Sequence, residues 1–284
     1  MASDAPRYVA SADGTRIGYL KEGSGPGVVL VQGAMADVTA YRNFATALSG
    51  SFTVYSAERR GRGISPKDYD PRHDVARDVE DIDAILAETG ATAVFGLSSG
   101  AIITLEAARA LERVTVAALY EPPFYADGIP TKGVQRLFDE IERGDLAPAL
   151  IDSLLAAGTA PPIIRRAPRP IAVLAARLIL TIDDRSRARR TTFRQLLGGV
   201  RFDFHDVREV DGRMAEYSTL DKPMLLLSGT ASPAFLRQAI RDLRRVLPNS
   251  EHVEFDGLGH DGPWNDGKPE RVATALTRFM LAHP

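Results

Sequence analysis

The sequence predicts an α/β fold, in which a mostly parallel sheet is flanked by helices and interrupted by one helical insert. Short apolar runs alternate with helix-like segments over residues 28–120, a pattern typical of parallel β-α-β units. The alternation stops at Glu121-Pro122-Pro123, and from there to about Thr219 the chain has helix-like segments separated by glycine and proline. Alternation resumes at Met224.

The individual elements follow from local patterns. Residues 8–20 predict two short strands joined at Asp13-Gly14, a pair that favours a tight hairpin turn. Further strands are predicted at residues 28–31, 52–57, 93–97, 114–120, 224–228 and 252–255. Helices are predicted at residues 41–48, 75–88, 101–111, 233–247 and 269–282. Sheets of this kind place their sites at the C-terminal ends of the strands.

The composition excludes several classes of function. The formal net charge is -2, so the chain offers no overall attraction for nucleic acid. Cysteine is absent, which excludes disulfides, cysteine nucleophiles and thiolate metal sites. No signal peptide is visible at the N-terminus, so we expect a cytoplasmic location. The most apolar stretches, such as residues 171–182, are too short and too interrupted by arginine to span a membrane.

One pentapeptide stands between a predicted strand and a predicted helix: Gly96-Leu97-Ser98-Ser99-Gly100. A sharp strand-to-helix turn of the G-x-S-x-G type exposes its serine hydroxyl, so Ser98 is the candidate nucleophile. The same turn directs the amide of Ser99, at the helix N-terminus, toward the place where a tetrahedral oxyanion would form.

Together with three further segments, this turn resembles the α/β-hydrolase superfamily with a helical cap. The segments are Val31-Gln32-Gly33, Glu58-Arg59-Arg60-Gly61-Arg62-Gly63-Ile64-Ser65 and Gly257-Leu258-Gly259-His260. The resemblance implies a hydrolase core of residues 1–123 and 220–284 and a cap of residues 124–219. It also implies that Ala34 donates the second oxyanion amide, although Gln32 replaces the histidine usual in the family.

The resemblance assigns the general base to His260, in a glycine-rich loop between the last strand and the last helix. A base is needed because a serine hydroxyl is a poor nucleophile until its proton is removed. The remaining histidines, His73, His205, His252 and His283, fit less well and are expected to be structural or surface residues.

The triad acid departs from the usual family position. That position falls in Gly229-Thr230-Ala231-Ser232, and Ser232 cannot supply a carboxylate. Some members of the superfamily, including certain haloalkane dehalogenases, carry a glutamate at the end of the strand that follows the nucleophile helix. Glu121 matches that alternative position and is the expected acid, with Asp256 and Asp261 as weaker rivals. The dehalogenase activity is not implied, because those enzymes use an aspartate nucleophile.

The expected activity is hydrolysis of a small ester, lactone or thioester under a lid formed by the insert. Residues 151–160 and 171–180 offer apolar side chains to line the pocket, or to pack helix on helix. Two alternatives remain: a biosynthetic lyase or cyclase of the same fold, or a ligand-binding protein with little turnover.

No metal and no cofactor are expected, and the partner is a small-molecule substrate. The arginines Arg185, Arg187, Arg189 and Arg190 form a basic run that is expected to be a solvated helix face or an ion-pair network. The sequence does not indicate an oligomeric state.

Overall fold

The computed structural model describes residues 5–186 and 191–283, which form an eight-stranded sheet flanked by helices. The strands are β1 (Arg7–Ala10), β2 (Arg16–Gly23), β3 (Gly27–Val31), β4 (Thr53–Ala57), β5 (Ala93–Leu97), β6 (Val116–Tyr120), β7 (Met224–Gly229) and β8 (Ser250–Phe255). The helices are α1 (Arg42–Leu48), α2 (Val75–Thr89), α3 (Ser99–Ala110), α4 (Thr131–Glu142), α5 (Leu146–Ala156), α6 (Pro162–Arg166), α7 (Arg169–Arg185), α8 (Phe193–Glu209), α9 (Ala234–Val246) and α10 (Pro269–Ala282). Short 3-10 helices cover Val38–Tyr41 and Met214–Thr219.

The strand order is β1-β2-β4-β3-β5-β6-β7-β8. Strand β2 runs antiparallel to β1 and to β4, and the strands from β3 to β8 are parallel. In the register, Leu97 lies opposite Tyr120, and Tyr120 lies opposite Leu227. The C-terminal ends of β5, β6 and β7 therefore meet at one edge of the sheet, as the sequence predicts for an α/β fold.

Apolar side chains cover both faces of the sheet because successive residues of a strand point to opposite sides. On β3, Val29 and Val31 belong to the buried apolar cluster that includes α2, α3 and α9, whereas Val28 and Leu30 belong to the cluster that includes α1 and α10. All four valine and leucine side chains are fully buried. A sheet buried on both faces accounts for the continuous apolar runs by which these strands were predicted.

Helices α4 to α8, here called the cap helices, are the α-helices between β6 and β7 in the described chain. The two segments predicted to line a pocket differ in the structure. Leu154, Ala157 and Thr159 of the first line a cavity, but residues 171–180 line neither cavity described below. On α7, Ala172, Ala176 and Leu180 face inward and are buried, while Ile171, Leu174 and Leu178 are exposed. No helix among the described residues has both the length and the apolar character needed to cross a membrane.

A buried group of charges, here called the junction cluster, joins the cap helices to the sheet domain. It consists of Arg59, Arg62, His73, Asp78, Asp203 and Asp206. Arg59 contacts Asp78 of α2 through Nε at 3.3 Å and Asp206 of α8 through Nη2 at 2.8 Å. With His73 protonated, the cluster holds three cations and three carboxyl groups, of which Asp206 has its pKa raised to about 7 by burial and by the neighbouring Asp78. Removing one member would leave a buried charge unpaired, which is strongly destabilising.

His73 is the titratable cation of the cluster. Its Nε2 lies 3.0 Å from Asp78 and 2.9 Å from Asp206, and its ring packs edge-on to that of His205. Burial by itself lowers the pKa of His73, but the hydrogen bonds with Asp206 and Asp78 outweigh it and raise the pKa to about 10. His73 is therefore charged at neutral pH.

This raised pKa predicts a pH-dependent contribution to stability. The unfolded pKa of histidine is about 6.5, so the stabilisation is complete below that pH and is lost as the pH rises toward 10. We expect His73→Gln to lower the free energy of unfolding by about 3 kcal/mol at pH 7, and the deficit relative to wild type to shrink by pH 10. Thermal unfolding of the wild type and of His73→Gln between pH 7 and pH 10 measures this deficit in stability, with His283→Gln as the control. A deficit that does not change with pH would contradict a charged His73.

Candidate active site

Ser98 lies at the turn between β5 and α3, in a backbone conformation that side chains rarely adopt. Its φ is 57° and its ψ is -125°, and its N–H donates to Tyr120 O at 2.9 Å. The flanking glycines make this turn possible. A Cβ on Gly96 would lie 2.2 Å from Gly100 O, and one on Gly100 would lie 2.4 Å from Val31 O. Strain of this kind persists where the surrounding structure enforces it, and it concentrates at functional sites.

Glu121 follows the last residue of β6 and is fully buried. Its φ is 50°, and its N–H donates to Leu227 O of β7 at 3.1 Å. The carboxylate is shared between two segments: Oε1 accepts the Gly229 N–H at 2.8 Å, and Oε2 lies 2.7 Å from Nδ1 of His260. The structure therefore brings together the glutamate and the histidine that the sequence singles out.

The loop that carries His260 is held against the ends of β6 and β7. The Tyr120 hydroxyl donates to Gly259 O at 2.7 Å, and the Ala231 N–H donates to Leu258 O at 2.9 Å. Leu258 is buried, and 20 % of the His260 side chain is exposed. With Nδ1 bonded to Glu121, the other ring nitrogen, Nε2, is available to a substrate or to Ser98.

The rival carboxylates do not reach the ring. Asp256 and Asp261 are both exposed, and neither has a hydrogen bond to His260. The Asp256 carboxylate accepts from the Thr230 hydroxyl instead, at 3.3 Å. Ser232 is buried, and its hydroxyl has no partner among the described residues.

The other histidines occupy structural positions. His205 contacts the Tyr69 hydroxyl, His252 contacts Ser228, and His283 contacts Phe279 O. His73 belongs to the junction cluster.

The amides predicted to donate to an oxyanion belong to Ala34 and Ser99, which both lie beside Ser98. Neither donates a hydrogen bond to any residue that the structure describes, and both residues line the same cavity as Ser98. Met35, next to Ala34, has a φ of 58°. Gln32 is fully buried, and its side-chain amide has no partner in the described chain.

Two cavities of about 360 and 540 Å³ adjoin Ser98 and His260. Residues common to both are Ala34, Ser98, Ala157, Thr159, Phe204 and His260. The first is completed mainly by Ser99, Pro123, Tyr125, Asp203, Val207 and Leu236. The second is completed mainly by Met35, Leu97, Ser153, Leu154, Val200 and Trp264. The walls are mostly apolar, and the cap helices contribute part of both.

Asp203 lies at this site, paired with Arg62, and the sequence motifs do not indicate it. Asp203, on α8, lines the first cavity and accepts a hydrogen bond from the Ser99 hydroxyl at 2.6 Å. Burial opposes its ionisation, but Arg62 and Arg59 outweigh this effect and lower the pKa of Asp203. The only sequence signal is the pair of acids Asp203 and Asp206 among apolar residues of one helix, which indicates buried carboxylates without indicating their partners.

Three side chains of the junction cluster are spaced like the ligands of a metal ion, but the charges of their carboxylates are already paired. His73, Asp78 and Asp206 place potential ligand atoms within 4.8 Å of one another. However, the guanidinium of Arg59 contacts both carboxylates. These side chains therefore form ion pairs. Of the predicted basic run, Arg185 is exposed at the end of α7, and the other three arginines lie outside the described residues.

Comparison with known proteins places the chain in a family. The model of the alpha/beta hydrolase family matches residues 28–275. The chain belongs to the alpha/beta hydrolase family. It is therefore an enzyme of the alpha/beta-hydrolase type, as the sequence motifs predict. No match was found among curated proteins.

Solved structures of alpha/beta hydrolases share the fold over nearly the whole chain. An alpha/beta hydrolase from Sphaerobacter thermophilus is 28% identical, with a TM-score of 0.76 over 96% of this chain and 100% of its own. A thermophilic esterase from Thermogutta terrifontis is 19% identical, with a TM-score of 0.73 over 99% and 100%. An epoxide hydrolase from Mycobacterium thermoresistibile is 21% identical, with a TM-score of 0.68 over 97% of each chain.

The close packing at the Ser98 turn predicts opposite effects of two glycine-to-alanine changes. We expect Gly100→Ala to lower the free energy of unfolding by about 3 kcal/mol, because its Cβ would overlap Val31 O and Gln32 O. Gly198→Ala, in the interior of α8 with open space around its Cβ, is the matched control and should raise it by about 0.5–1 kcal/mol. Urea denaturation measures both. A Gly100→Ala protein as stable as wild type would contradict the described turn.

Proposed function

We propose that this alpha/beta hydrolase is a serine hydrolase of small, mainly apolar carboxylic esters, lactones or thioesters, with Ser98 as nucleophile, His260 as base and Glu121 as acid. The observation that carries the proposal is the 2.7 Å contact between Glu121 Oε2 and His260 Nδ1 beside a cavity that both His260 and Ser98 line. A buried carboxylate on Nδ1 fixes the ring orientation and the tautomer in which Nε2 can accept a proton.

Acylation begins when Nε2 of His260 takes the proton of the Ser98 hydroxyl as its oxygen attacks the carbonyl carbon. The carbonyl π electrons move to oxygen, and the amides of Ala34 and Ser99 donate to that oxyanion. Glu121 stabilises the imidazolium without taking its proton. The tetrahedral intermediate then collapses, the bond to the leaving group breaks, and His260 gives the leaving group its proton.

Deacylation repeats these steps with water. His260 takes a proton from water, and the hydroxide formed attacks the acyl carbon on Ser98. Collapse of the second intermediate frees the acid, and the proton on His260 returns to the Ser98 oxygen. Among the described residues the Ser98 hydroxyl has no hydrogen-bond partner, whereas its backbone N–H donates to Tyr120 O; catalytic hydrogen bonds that are absent or long without substrate tighten when substrate binds.

The substrate class follows from the cavity walls. Phe204, Leu154, Val200 and Trp264 present apolar surface beneath the cap helices, which suits short apolar acyl and alcohol groups. In this proposal the cap segment, residues 124–219, is the lid over the site, and the remainder of the chain is the catalytic core.

Of the alternatives, a binding protein with little turnover rests on the absence of an acid at Ser232. The contact of the Glu121 carboxylate with the His260 ring supports hydrolysis over this alternative, because it offers an acid from the neighbouring strand. The esterase fold of the Thermogutta relative is consistent with this assignment.

The cavity size predicts a preference for short acyl chains. Among p-nitrophenyl esters, we expect kcat/KM to be highest for acetate to butyrate and to fall at least tenfold by decanoate, because a long chain does not fit beneath the lid.

Ser98→Ala should abolish turnover and labelling by a fluorophosphonate probe while thermal unfolding is unchanged, because only the attacking oxygen is removed. Wild-type rates in Ser98→Ala would exclude Ser98 as the nucleophile.

The charge of Glu121 predicts the effect of its neutral isostere. We expect Glu121→Gln to lower kcat by roughly a hundredfold or more, since the imidazolium loses its counter-charge. Asp256→Asn is the matched control, because it removes an exposed carboxylate that does not contact the ring, and it should keep the wild-type rate. The reverse outcome, an active Glu121→Gln and an inactive Asp256→Asn, would assign the acid to Asp256.

A further inference from the structure

One buried ion pair, between Arg62 and Asp203, connects the two segments that carry the amides of Ala34 and Ser99. Arg62 follows β4 and belongs to the core, whereas Asp203 lies on cap helix α8. Both side chains are almost fully buried. The pair belongs to the junction cluster, but its contacts extend beyond the cluster to Gly33 O, Ala36 O and the Ser99 hydroxyl.

Arg62 holds the turn of residues 33–36. Its Nη1 donates to Gly33 O at 2.9 Å and to Ala36 O at 3.4 Å. These two carbonyls lie on either side of Ala34 and Met35 in the chain, and Met35 has the strained φ of 58°. A planar, fully charged guanidinium that bonds both sides of a strained turn fixes the direction of the Ala34 amide.

Asp203 holds the residue after the nucleophile. Its Oδ1 accepts from the Ser99 hydroxyl at 2.6 Å and from Arg59 Nη1, and its Oδ2 accepts from Arg62 Nη2. The Ser99 hydroxyl also accepts from Arg59 Nη1 at 3.0 Å. Ser99 begins α3, so anchoring its side chain fixes the amide at the start of that helix.

We propose that Asp203 is a positioning residue of the oxyanion hole, which sets the Ser99 amide directly and the Ala34 amide through Arg62. This inference rests on the function proposed above. Its consequence is that the oxyanion hole is assembled only when α8 of the lid is docked on the core. Oxyanion donors act through preorganised geometry, so a small displacement reduces transition-state stabilisation more than substrate binding.

Ser99→Ala tests the proposal with little disturbance, because it removes the hydroxyl and keeps the amide. With p-nitrophenyl butyrate we expect kcat to fall about tenfold while KM stays within about twofold. The Ki of butylboronic acid, which forms a tetrahedral adduct on a catalytic serine, should rise in proportion to the loss of kcat/KM. Thr53→Val is the matched control, since it removes a buried hydroxyl bonded to Gly25 O, and it should leave all three constants unchanged.

Asp203→Asn and the double variant Ser99→Ala/Asp203→Asn test whether the two side chains act through the same hydrogen bond. Asp203→Asn should cost more than Ser99→Ala, since it affects both amides, and the double variant should lose less activity than the product of the two single losses because both changes act on the same hydrogen bond. If Asp203→Asn does not fold, the Ser99→Ala variant alone decides whether the positioning role holds.

An active wild type with a Ser99→Ala variant of unchanged kcat and Ki would overturn the positioning role alone. A wild type that neither hydrolyses the ester nor binds the boronic acid would overturn both this role and the proposed function.

Discussion

Glu121 places one negative charge in a fully buried position, and three segments of the molecule are arranged around it. A buried carboxylate is tolerated only when it is paired and hydrogen-bonded. The Gly229 amide at the end of β7 and the ring of His260 provide those partners. The end of β7 and the His260 loop must therefore keep their positions relative to β6. The same carboxylate orients the ring toward the cavity, so one contact serves both packing and the proposed chemistry.

The junction cluster imposes a second constraint, on the cap helices. Asp203 and Asp206 are buried charges on α8, and their counter-charges lie on the core. Because unpaired buried charges are costly, these ion pairs favour the observed packing of α8 on the core. That packing brings Phe204 into the wall of both cavities and Asp203 against Ser99. In the proposal made above, the docking of α8 and the geometry around Ser98 are coupled through these charges.

Sequence patterns predict the parts of this site that local structure determines. Ser98 lies in a strand-turn-helix motif, and Glu121 ends the neighbouring strand, so parallel strand order alone brings them to one edge. The partnership of Arg62 with Asp203 is different, because it spans 141 residues and depends on how α8 packs on the core. The same limit applies to α7, where periodicity shows an apolar helix but not that Leu174 and Leu178 face solvent. Tertiary packing, which a local pattern does not contain, decides both.

The most direct test of the account is the proton between Glu121 and His260. In proton NMR of protein that carries nitrogen-15-labelled histidine, the Nδ1 proton of a ring hydrogen-bonded to a buried carboxylate gives a low-field resonance that is coupled to that nitrogen. The account predicts this resonance in wild type and in Asp256→Asn, and its loss in both Glu121→Gln and His260→Ala. A resonance that persists in Glu121→Gln would show that another acceptor holds the ring, and would contradict the assignment of Glu121 as the triad acid.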